Sequence, residues 1–449
     1  MPNEVVIIGL GKTGYSCVGY YASKNIQVSV VDHNPHPPLL EQLQEQYPFV
    51  RFYDFTQAKE ILSNAKTLVI SPGVSLDNLR SYLNISPNQE CINDMELFCR
   101  EAKAPIVAIT GTNGKTTVAT VMGEVLQQAN KKVIVCGNIG VPVLDTLNLP
   151  VPDYYVIELS SFQLELVRSL RATAAVVLNI SPDHMDRYNS YLDYITAKLR
   201  IYNNAQSLVI NLDQDEISIP DTQSGVISFS MSDQLNATYS ISSGDDDVVI
   251  KRGGKDLLSA NSMPLVGHHH WQNALAVLSL TDALGLSPQF AIAVLQRFKG
   301  VAHRCQQVYC DHNIRWINDS KATNVGAMLA SVATVHASLQ GEIILIMGGV
   351  GKGADFSLFV KLTQYPIKTV ILIGQDAMVL AESLPDAICI KHEKTMQDAV
   401  IFADSIALNE DAVILAPACA SFDMFDNYQH RGQEFVRCIQ ELKGCKSEK

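Results

Sequence analysis

The sequence predicts an α/β protein made of three parallel-sheet domains in series. Short apolar strands alternate with helical patterns along the chain, and glycine-rich or polar turns follow several of these strands. The 449 residues also exceed what one hydrophobic core usually holds. We place the domains at residues 1–95, 96–299 and 300–449.

The first domain combines a glycine turn with an acidic strand end. Its predicted elements are the strand Glu4–Gly9, a helix from about Thr13 to Ser23, and the strands Gln27–Val31 and Thr67–Ile70. The turn Gly9–Gly14 fits the spacing GxGxxG, and Asp32 lies eighteen residues beyond it. This pattern predicts a pyrophosphate at the start of the helix. By itself the motif favours NAD, although a UDP group carries the same charged feature.

The second domain contains the strongest local signal, a loop typical of phosphate binding. The run Gly111-Thr112-Asn113-Gly114-Lys115-Thr116-Thr117 lies between the apolar strand Ile106–Ile109 and a helix that continues to about Ala129. Backbone N–H groups of such a loop surround phosphates, the lysine neutralises them, and the hydroxyl after it reaches Mg²⁺. The match to GxxxxGK[ST] is incomplete, because isoleucine occupies the first glycine position. A glycine turn that only caps a helix would leave the Lys-Thr-Thr run unexplained.

Acidic and histidine residues follow two further strands of this domain. Glu158 lies at the end of the strand Tyr154–Leu159, where a carboxylate can bind Mg²⁺ or simply face solvent. The run Asp183–Arg187 follows the strand Ala174–Leu178 at the same predicted edge. Residue chemistry leaves open whether His184 binds a metal, orients a substrate, transfers a proton or is only a hydrogen-bonded loop residue. The other predicted elements are the strands Val133–Cys136 and Leu208–Asn211, an antiparallel appendage from about Val226 to Leu258, and the helices Trp271–Leu284 and Pro288–Phe298.

The third domain places three polar loops at one predicted sheet edge. The loops are Asp319–Asn324, Gly348–Lys352 and Ala416–Ser421. Because the carboxyl ends of parallel strands meet at one edge, these loops predict a rim that faces a ligand. Asp319 or Ser320 could instead only cap the helix that follows. The other predicted elements are a hairpin around Asp311–Asn313 and the strands Ile343–Met347, Thr369–Ile373 and Ala412–Leu415.

Composition excludes several classes of function. The formal net charge of −12 argues against a general binder of nucleic acid or of anionic membranes. The N-terminus lacks the features of a signal peptide, and no apolar stretch approaches the roughly 20 residues that span a bilayer. The ten cysteines are scattered without a CxxC pair, which indicates reduced thiols. We therefore expect a cytoplasmic protein that binds neither nucleic acid nor membranes.

Two clusters suggest metal sites, but their spacing argues against this reading. The adjacent residues His268-His269-His270 cannot converge on one ion, so we expect them at the start of a helix. The set His303, Cys305, Cys310 and His312 fits a hairpin poorly as a zinc site.

Taken together, these motifs resemble those of the Mur ligase family over essentially the whole chain. The ordered matches are Gly111–Thr117, Glu158–Gln163, Asp183–Tyr188, Lys198–Tyr202, Asn273, His303-Arg304, Asn318–Asn324, Gly348–Phe356 and Pro417–Phe425. The resemblance implies an N-terminal Rossmann-like domain that binds a UDP substrate, a central P-loop ATPase-type domain with a small antiparallel appendage, and a C-terminal Rossmann-like domain that binds an amino acid.

The resemblance is closest to the family members that add D-glutamate to UDP-N-acetylmuramoyl-L-alanine in peptidoglycan precursor synthesis. It implies a reaction in which the substrate carboxylate attacks the γ-phosphate of ATP. The amine of D-glutamate then attacks the resulting acyl phosphate. The implied cofactors are ATP and two Mg²⁺ ions, the implied partners are these small molecules, and we expect a monomer.

The roles of individual residues follow only from this resemblance. The implied catalytic residues are Lys115, His184, Lys198, Arg304 and Lys321. The implied ATP-binding residues are Gly111, Thr112, Asn113, Gly114, Lys115, Thr116, Thr117, Asn273, Arg304 and Asp319. The implied metal ligands are Thr116, Glu158, His184 and a carbamylated Lys198. The implied substrate-binding residues are Thr13, Asp32, Ser71, Gly73, Asn138, Ser161, Gln163 and His184, together with Thr323, Lys352, Ser421 and Tyr428 at the D-glutamate positions.

Three alternatives stay open at this point. A family member that adds another amino acid is one, although the surroundings of Lys352 and Ser421 favour D-glutamate. An NAD-dependent oxidoreductase would use Gly9–Gly14 and Asp32 but leaves the phosphate loop unexplained. A non-catalytic nucleotide switch would bind ATP without turnover that depends on an amino acid.

Overall fold

The computed structural model describes residues 5–74, 79–80, 86, 88–182, 187–217, 225–243, 247–265, 267–351, 354 and 356–444. Contacts divide the chain into two units, residues 1–298 and 299–449. The described residues form three largely parallel sheets, two in the first unit and one in the second, which confirms the predicted α/β class. The bounds of the three domains stay a prediction. Within these ranges, no helix is both long enough and apolar enough to cross a membrane.

A five-stranded parallel sheet begins the first unit. Its strands are β1 (Val5–Ile8), β2 (Val28–Asp32), β3 (Arg51–Asp54), β4 (Thr67–Ile70) and β5 (Glu90–Ile92), in the order β3-β2-β1-β4-β5, and its helices are α1 (Lys12–Ser23), α2 (Leu40–Gln46), α3 (Lys59–Asn64) and α4 (Asp94–Glu101). Strand β1 pairs with β2 on one side and with β4 on the other. The strand order therefore reverses beside β1, the position where α/β sheets bind ligands.

The second sheet has nine strands. They are β6 (Ile106–Thr110), β7 (Val133–Gly137), β8 (Tyr154–Glu158), β9 (Ala174–Val177), β10 (Ser207–Asn211), β11 (Gly225–Ser230), β12 (Tyr239–Ser243), β13 (Val248–Arg252) and β14 (Lys255–Ser259), in the order β14-β13-β12-β11-β10-β9-β6-β8-β7. The helices of this part are α5 (Lys115–Gln128), α6 (Ser161–Glu165), α7 (Tyr191–Leu199), α8 (His268–Ala283) and α9 (Pro288–Leu295).

The predicted antiparallel appendage is only partly antiparallel. Strand β11 pairs in parallel with both β10 and β12, and antiparallel pairing begins at β12–β13 and continues to β14. Thirteen residues separate Asn211 from Gly225, which is long enough for the crossover that a parallel pair requires. The appendage thus continues the central sheet instead of standing apart from it.

Hydrogen bonds from helix α4 and its N-cap connect the first sheet to the second. The Glu96 carboxylate is buried and accepts hydrogen bonds from the backbone N–H groups of Arg168 at 2.7 Å and Ser169 at 2.8 Å. The Asn93 side-chain amide donates to the Gln163 carbonyl at 2.7 Å. Apolar residues of both sheets also belong to one buried cluster. The glycine turn after β1 and the phosphate loop after β6 are therefore held within one unit.

The second unit contains a six-stranded sheet. Its strands are β15 (Gln306–Asp311), β16 (Ile314–Asn318), β17 (Ile343–Gly348), β18 (Ile367–Ile373), β19 (Ile390–His392) and β20 (Ala412–Leu415), in the order β15-β16-β20-β17-β18-β19, and its helices are α10 (Val325–His336), α11 (Ala377–Ser383), α12 (Met396–Ile406) and α13 (Tyr428–Lys443). The predicted hairpin is present, because β15 and β16 are antiparallel and His312 and Asn313 both have positive φ. Trp316 of β16 is fully buried beside Phe435 of α13.

Short 3-10 helices connect some of these elements. They are Phe55–Gln57, Val143–Asn148, Arg200–Tyr202, Asp233–Leu235, Ala260–Ser262 and Ser357–Gln364.

Candidate active site

The phosphate loop joins a buried strand to a long helix, as predicted. Strand β6 is buried along its whole length, and α5 begins at Lys115 immediately after the loop. Gly114 precedes the helix with φ +83°, and a Cβ atom there would lie 2.3 Å from the Asn273 Oδ1. Glycine is therefore favoured at this position, because any other residue would strain the backbone and displace the Asn273 side chain. The fold thereby brings Asn273 of α8 against the loop.

Residues after β9 hold the backbone of the phosphate loop in place. The Thr112 hydroxyl accepts a hydrogen bond from the Ser181 backbone N–H at 3.0 Å and lies 3.0 Å from the Tyr194 hydroxyl. The Asn179 side chain accepts the Asn113 N–H at 2.8 Å. Neither Asn179 nor Tyr194 was predicted from the sequence, since neither belongs to a local phosphate-binding pattern. These contacts fix the shape of the loop before any phosphate arrives.

The two predicted magnesium ligands of this region touch each other. The Thr116 hydroxyl donates a 2.6 Å hydrogen bond to Glu158 Oε2, and the Asn138 amide donates to Oε1 at 3.0 Å. Glu158 lies opposite Ile109 in the register of β6 and β8 and is buried. Oxygen ligands of this kind suit Mg²⁺. Asn138, predicted to contact the UDP substrate, is here a partner of the carboxylate.

Two lysines converge on one carbonyl of the phosphate loop. Lys115 Nζ donates to the Gly111 carbonyl at 2.8 Å and to the Thr112 carbonyl at 2.9 Å. Lys198 Nζ donates to the same Gly111 carbonyl at 2.8 Å. Lys198 is only 2% exposed, and its amine lies 4.7 Å from the centre of the Tyr194 ring. The lysine of α7 is thus directed into the site, which its sequence surroundings do not indicate.

The loop after β9 is tied to the first sheet. His184 lies outside the described residues. The guanidinium of Arg187, which follows, donates to the Pro72 carbonyl at 2.7 Å and to the Val74 carbonyl at 3.3 Å. It also covers the Phe162 ring at 3.8 Å. Arg187, which the sequence did not mark as a separate site residue, therefore connects two predicted substrate loops.

Asp32 and Ser71 shape the glycine turn after β1. Asp32 Oδ2 accepts the Leu10 N–H at 2.6 Å, and the Ser71 hydroxyl donates to the Gly9 carbonyl at 3.2 Å. A Cβ atom at Gly14 would lie 1.9 Å from that Gly9 carbonyl oxygen. The glycines of the GxGxxG pattern and Asp32 therefore come together at the start of α1, as predicted.

The other predicted substrate positions differ in how much the local structure uses them. Gln163 completes a capping box of α6, in which its side-chain oxygen accepts the Ser160 N–H at 3.0 Å. Ser161 is buried in the first turn of the same helix. Thr13 lies in the first turn of α1, and Gly73 has open space around it. Local capping therefore accounts for Gln163 without a ligand.

In the second unit, Arg304 is presented by a strained turn. The flanking residues His303 and Cys305 have φ values of 62° and 44°, a region that non-glycine residues rarely adopt. Burial raises the pKa of Asp319 to about 6, although a hydrogen bond from Ser331 and the charge of Arg304 act in the opposite direction. The structure thus places the predicted Arg304 and Asp319 close enough to interact electrostatically.

The alternative in which Asp319 or Ser320 only caps the following helix is excluded. Asn324 caps α10, and its Oδ1 accepts the Ala327 N–H at 2.8 Å. The Asp319 N–H instead donates to the Leu415 carbonyl at 2.8 Å. The helix begins five residues later than a cap at Asp319 would require, because the intervening loop crosses the sheet edge first.

Two of the predicted D-glutamate residues, Thr323 and Ser421, lie on neighbouring loops of the third sheet, and Tyr428 begins α13. Strands β16, β20 and β17 are adjacent and parallel, so their carboxyl ends share one edge as predicted. Ser421 is buried after β20, and the Thr323 N–H donates to the Lys321 carbonyl at 2.8 Å. Lys321 Nζ lies 4.4 Å from the centre of the Tyr428 ring. Lys352 lies outside the described residues.

The run of three histidines begins α8, as expected. Burial lowers the pKa of His270 to about 4, with a smaller contribution from His269, so its ring is neutral at pH 7. Trp271 follows in the same turn, two residues before Asn273. An apolar cleft lined by Thr117, Val121 and Phe298 adjoins this turn. Within the described ranges, no group of three or more His, Cys, Asp or Glu residues is arranged to hold a metal.

The fold and the glycine-rich loop after β6 agree with the family that the comparisons identify. The chain belongs to the Mur ligase family. Three family models match it in order: the MurD-like N-terminal domain over residues 3–86, the Mur ligase middle domain over 109–281, and the Mur ligase glutamate ligase domain over 303–419.

The chain is similar over its whole length to proteins named UDP-N-acetylmuramoylalanine–D-glutamate ligase. The protein of Coxiella burnetii (strain Dugway 5J108-111) is 43% identical, over 97% of this chain and 98% of its own. That of Nitrosococcus oceani is 41% identical, over 98% and 97%.

Solved structures share the fold. The UDP-N-acetylmuramate–alanine ligase MurC of Thermotoga maritima matches with a TM-score of 0.58 and 18% identity, over 98% of this chain and 99% of its own. The MurF ligase of the same organism, in complex with ADP, matches with a TM-score of 0.58 and 12% identity, over 98% and 95%. At these identities the likeness concerns the fold alone.

Proposed function

We propose that this protein is an ATP-dependent ligase that joins D-glutamate to UDP-N-acetylmuramoyl-L-alanine in peptidoglycan precursor synthesis. The observation that carries this proposal is the similarity of the whole chain, at 43% identity in one case, to ligases named for this reaction. The phosphate loop and the polar sheet edges provide binding groups for three anionic reactants. Two anions must meet in the first step, so positioning and charge neutralisation dominate the chemistry.

The nucleotide half of the site is supported by the contacts of the first unit. We assign the phosphates of ATP to the loop Gly111–Thr117 and to Lys115, whose amine would exchange its two carbonyl contacts for phosphate oxygens. Asn273 and the apolar cleft beside it suit the nucleoside part. Thr116 and Glu158 would hold Mg²⁺, because their oxygens already lie 2.6 Å apart. The bound ion would neutralise developing charge on the phosphates.

Carbamylation of Lys198 would relieve a conflict in this site. Lys198 and Lys115 direct two amines to the Gly111 carbonyl, and Lys198 is buried. Two ammonium groups so placed repel each other, and burial adds to that cost. Addition of CO₂ to Lys198 would replace one cation by an anion, which would attract Lys115 and could help to hold a second Mg²⁺ together with His184. A carbamate ¹³C resonance that appears with labelled bicarbonate and disappears in Lys198→Ala would support this assignment; its absence in the wild type would contradict it.

The two substrates bind at the sheet edges of the two units in this proposal. We assign the UDP-linked substrate to Thr13, Asp32, Ser71, Gly73 and Asn138, with Ser161, Gln163 and His184 near its reacting end. The contacts of Asp32 and Ser71 suggest that they act mainly by shaping the glycine turn.

We assign the D-glutamate carboxylates to Thr323, Lys352, Ser421 and Tyr428 of the second unit. We assign Arg304 to the γ-phosphate of ATP, Lys321 to the neighbourhood of the transferred group, and Asp319 to another contact with ATP. In this arrangement Lys321 and Arg304 supply positive charge where the acyl phosphate forms. The carbonyl carbon of that intermediate then accepts the amine, and phosphate leaves.

Phosphate release from ATP tests the proposal. The assay contains UDP-N-acetylmuramoyl-L-alanine and one amino acid, compared among D-glutamate, L-glutamate, L-lysine, L-alanine and diaminopimelate. We expect release only with D-glutamate. Release with another amino acid would keep the ligase class and overturn the assignment of the second unit. No release with any of them from folded, nucleotide-binding protein would reject the ligase, and NAD binding would then be measured. A cytoplasmic location and a monomeric state are further proposals, which fractionation and sedimentation would test.

A further inference from the structure

One arginine that the sequence did not mark lies beneath the three loops of the second unit. Arg431 of α13 is 1% exposed. Its Nε donates to the Ser320 hydroxyl at 3.0 Å, and Nη2 donates to the Ser320 carbonyl at 2.9 Å. Nη1 and Nη2 both donate to the Cys419 carbonyl at 3.1 Å, and Nη1 also donates to the Gly348 carbonyl at 3.3 Å. All five N–H groups of the guanidinium thus have an acceptor.

Burial of this guanidinium is not explained by a neighbouring acid. Among the described residues, no carboxylate lies within ion-pair distance of Arg431. Burial lowers the pKa of Arg431 to about 10, opposed by the side chains of Cys419 and Asp423, so the guanidinium stays charged at neutral pH. A buried charge is costly unless it is fully hydrogen-bonded. Backbone carbonyls supply four of the five bonds here: those of Ser320 and Cys419 lie in loops, and that of Gly348 lies at the last residue of β17.

The acceptors lie at the ends of three adjacent strands. Ser320 follows β16, Gly348 ends β17 and Cys419 follows β20. The Cys419 carbonyl comes directly after Ala418, whose φ of +58° is strained for alanine. Such strain persists only where the surroundings over-determine the backbone, and two N–H groups of Arg431 bind this carbonyl. Gly349 packs so closely that a Cβ atom there would lie 3.3 Å from Arg431 Nη1.

We propose that Arg431 is a positioning residue that sets the spacing between the loop carrying Lys321 and the loop carrying Ser421. The proposal rests on the function proposed above, in which these loops hold the transferred phosphate and D-glutamate. Ser320 immediately precedes Lys321, and Cys419 lies two residues before Ser421. A planar group with donors on three sides can join these loops, whereas a lysine amine presents all its donors at one point. The geometry of the guanidinium is therefore needed, and its charge alone is not sufficient.

The test is the full-length variant Arg431→Lys, with Arg437→Lys as its matched control. Arg437 lies on the same helix but is exposed and paired with Glu434 and Glu441. We expect Arg431→Lys to keep its affinity for ATP within about twofold and to lose about 10²-fold in kcat/KM for D-glutamate, the scale for misplaced reacting groups. Arg437→Lys should behave as the wild type. Unchanged kcat and KM for D-glutamate in Arg431→Lys would overturn the proposal. Equal losses for ATP and D-glutamate would indicate a merely structural role and would also overturn it.

A second variant and a second measurement keep the test decisive. If Arg431→Lys does not fold, Ser320→Ala removes the hydroxyl that accepts from Arg431 Nε and donates to the Tyr428 carbonyl at 2.8 Å. A KM for D-glutamate raised about tenfold or more supports the proposal, and an unchanged value opposes it. If the wild type does not use D-glutamate at all, the function proposed above fails. Amide hydrogen exchange then tests the loops directly. Faster exchange at residues 320–323 and 418–421 in the Arg431 variant than in Arg437→Lys supports positioning by Arg431, and equal exchange refutes it.

Discussion

Replacing Gly114 by alanine changes two properties of the phosphate loop. The residue has φ +83°, where alanine costs about 1 kcal/mol relative to glycine. The new Cβ atom would also lie 2.3 Å from Asn273 Oδ1, which is closer than real Cβ contacts of 3.0 Å or more. The Asn273 amide must therefore retreat by about 1 Å to restore van der Waals contact. Because Asn273 Oδ1 is the tip of a side chain, this movement costs little stability but displaces a proposed nucleotide contact.

Gly254 provides a matched control for the backbone strain. It has φ +77° in the turn between β13 and β14, and a Cβ atom there would meet nothing within 4 Å. We expect Gly114→Ala and Gly254→Ala to lower the midpoint of thermal unfolding by similar amounts. In the phosphate-release assay only Gly114→Ala should raise KM for ATP, by about 10- to 10²-fold, since a misplacement of about 1 Å can cost that much.

The double variant Gly114→Ala/Asn273→Ala separates the contact from other effects. If Gly114→Ala acts through Asn273, adding it to Asn273→Ala should raise KM for ATP little further, because neighbouring residues that act together are not additive. Full additivity of the two changes would refute the reasoning. So would a wild-type KM for ATP in Gly114→Ala.

The remaining predictions concern a lysine of each unit and a buried acid. Lys115→Ala should lower kcat by about 10²-fold or more, with Lys131→Ala as an exposed control; near-normal turnover would refute the phosphate role. Lys352→Ala should mainly raise KM for D-glutamate, and an unchanged KM would contradict its assignment. Burial raises the pKa of Asp94 to about 6 from 3.8, so the native state binds a proton more readily than the unfolded chain; this stabilisation is complete below about pH 4 and is lost as the pH rises through 6. With Asp94→Asn, the free energy of unfolding should therefore decrease less between pH 4 and pH 8, and the variant should be more stable than the wild type at pH 8 by up to about 3 kcal/mol. The exposed Asp256→Asn serves as the control and should behave as the wild type. Equal pH profiles of the Asp94 variant and the wild type in denaturant titrations would contradict this prediction.

Much of the fold could be predicted because the strands are apolar runs with clear ends. Strands β4 and β20 were predicted at their observed bounds, and the nine other strands with predicted bounds differ by one or two residues at an end. Strands β3, β5 and β19 were not predicted. The pairing of β11 could not be predicted, since a short run with polar neighbours does not indicate whether its partner is parallel. The docking of Glu96 on Arg168 depends on residues 72 positions apart, which no local pattern encodes.

Part of the candidate site could likewise be predicted from the sequence, and part of it could not. Thr116 and Glu158 were predicted separately from a loop motif and a strand end, and the parallel register of β6 and β8 brings them together. The role of Lys198 was implied only by the family resemblance, because its burial depends on how α7 packs on the phosphate loop. Arg431 was missed, since Ser320 lies 111 residues away in sequence and Gly348 lies 83 away. Contacts made through backbone carbonyls leave no signature in residue type at the acceptor.

The two tryptophans of the chain are divided between the units, Trp271 in α8 and Trp316 in β16. Trp271 is partly exposed and lies two residues before Asn273, whereas Trp316 is fully buried in the third sheet. Each unit therefore contains its own intrinsic fluorophore. Trp316→Phe would leave an optical signal that reports on nucleotide arrival, and Trp271→Phe would leave one that reports on the packing of the second unit. Changes near Asn273 and changes in the packing of the second unit can thus be followed separately without any attached label.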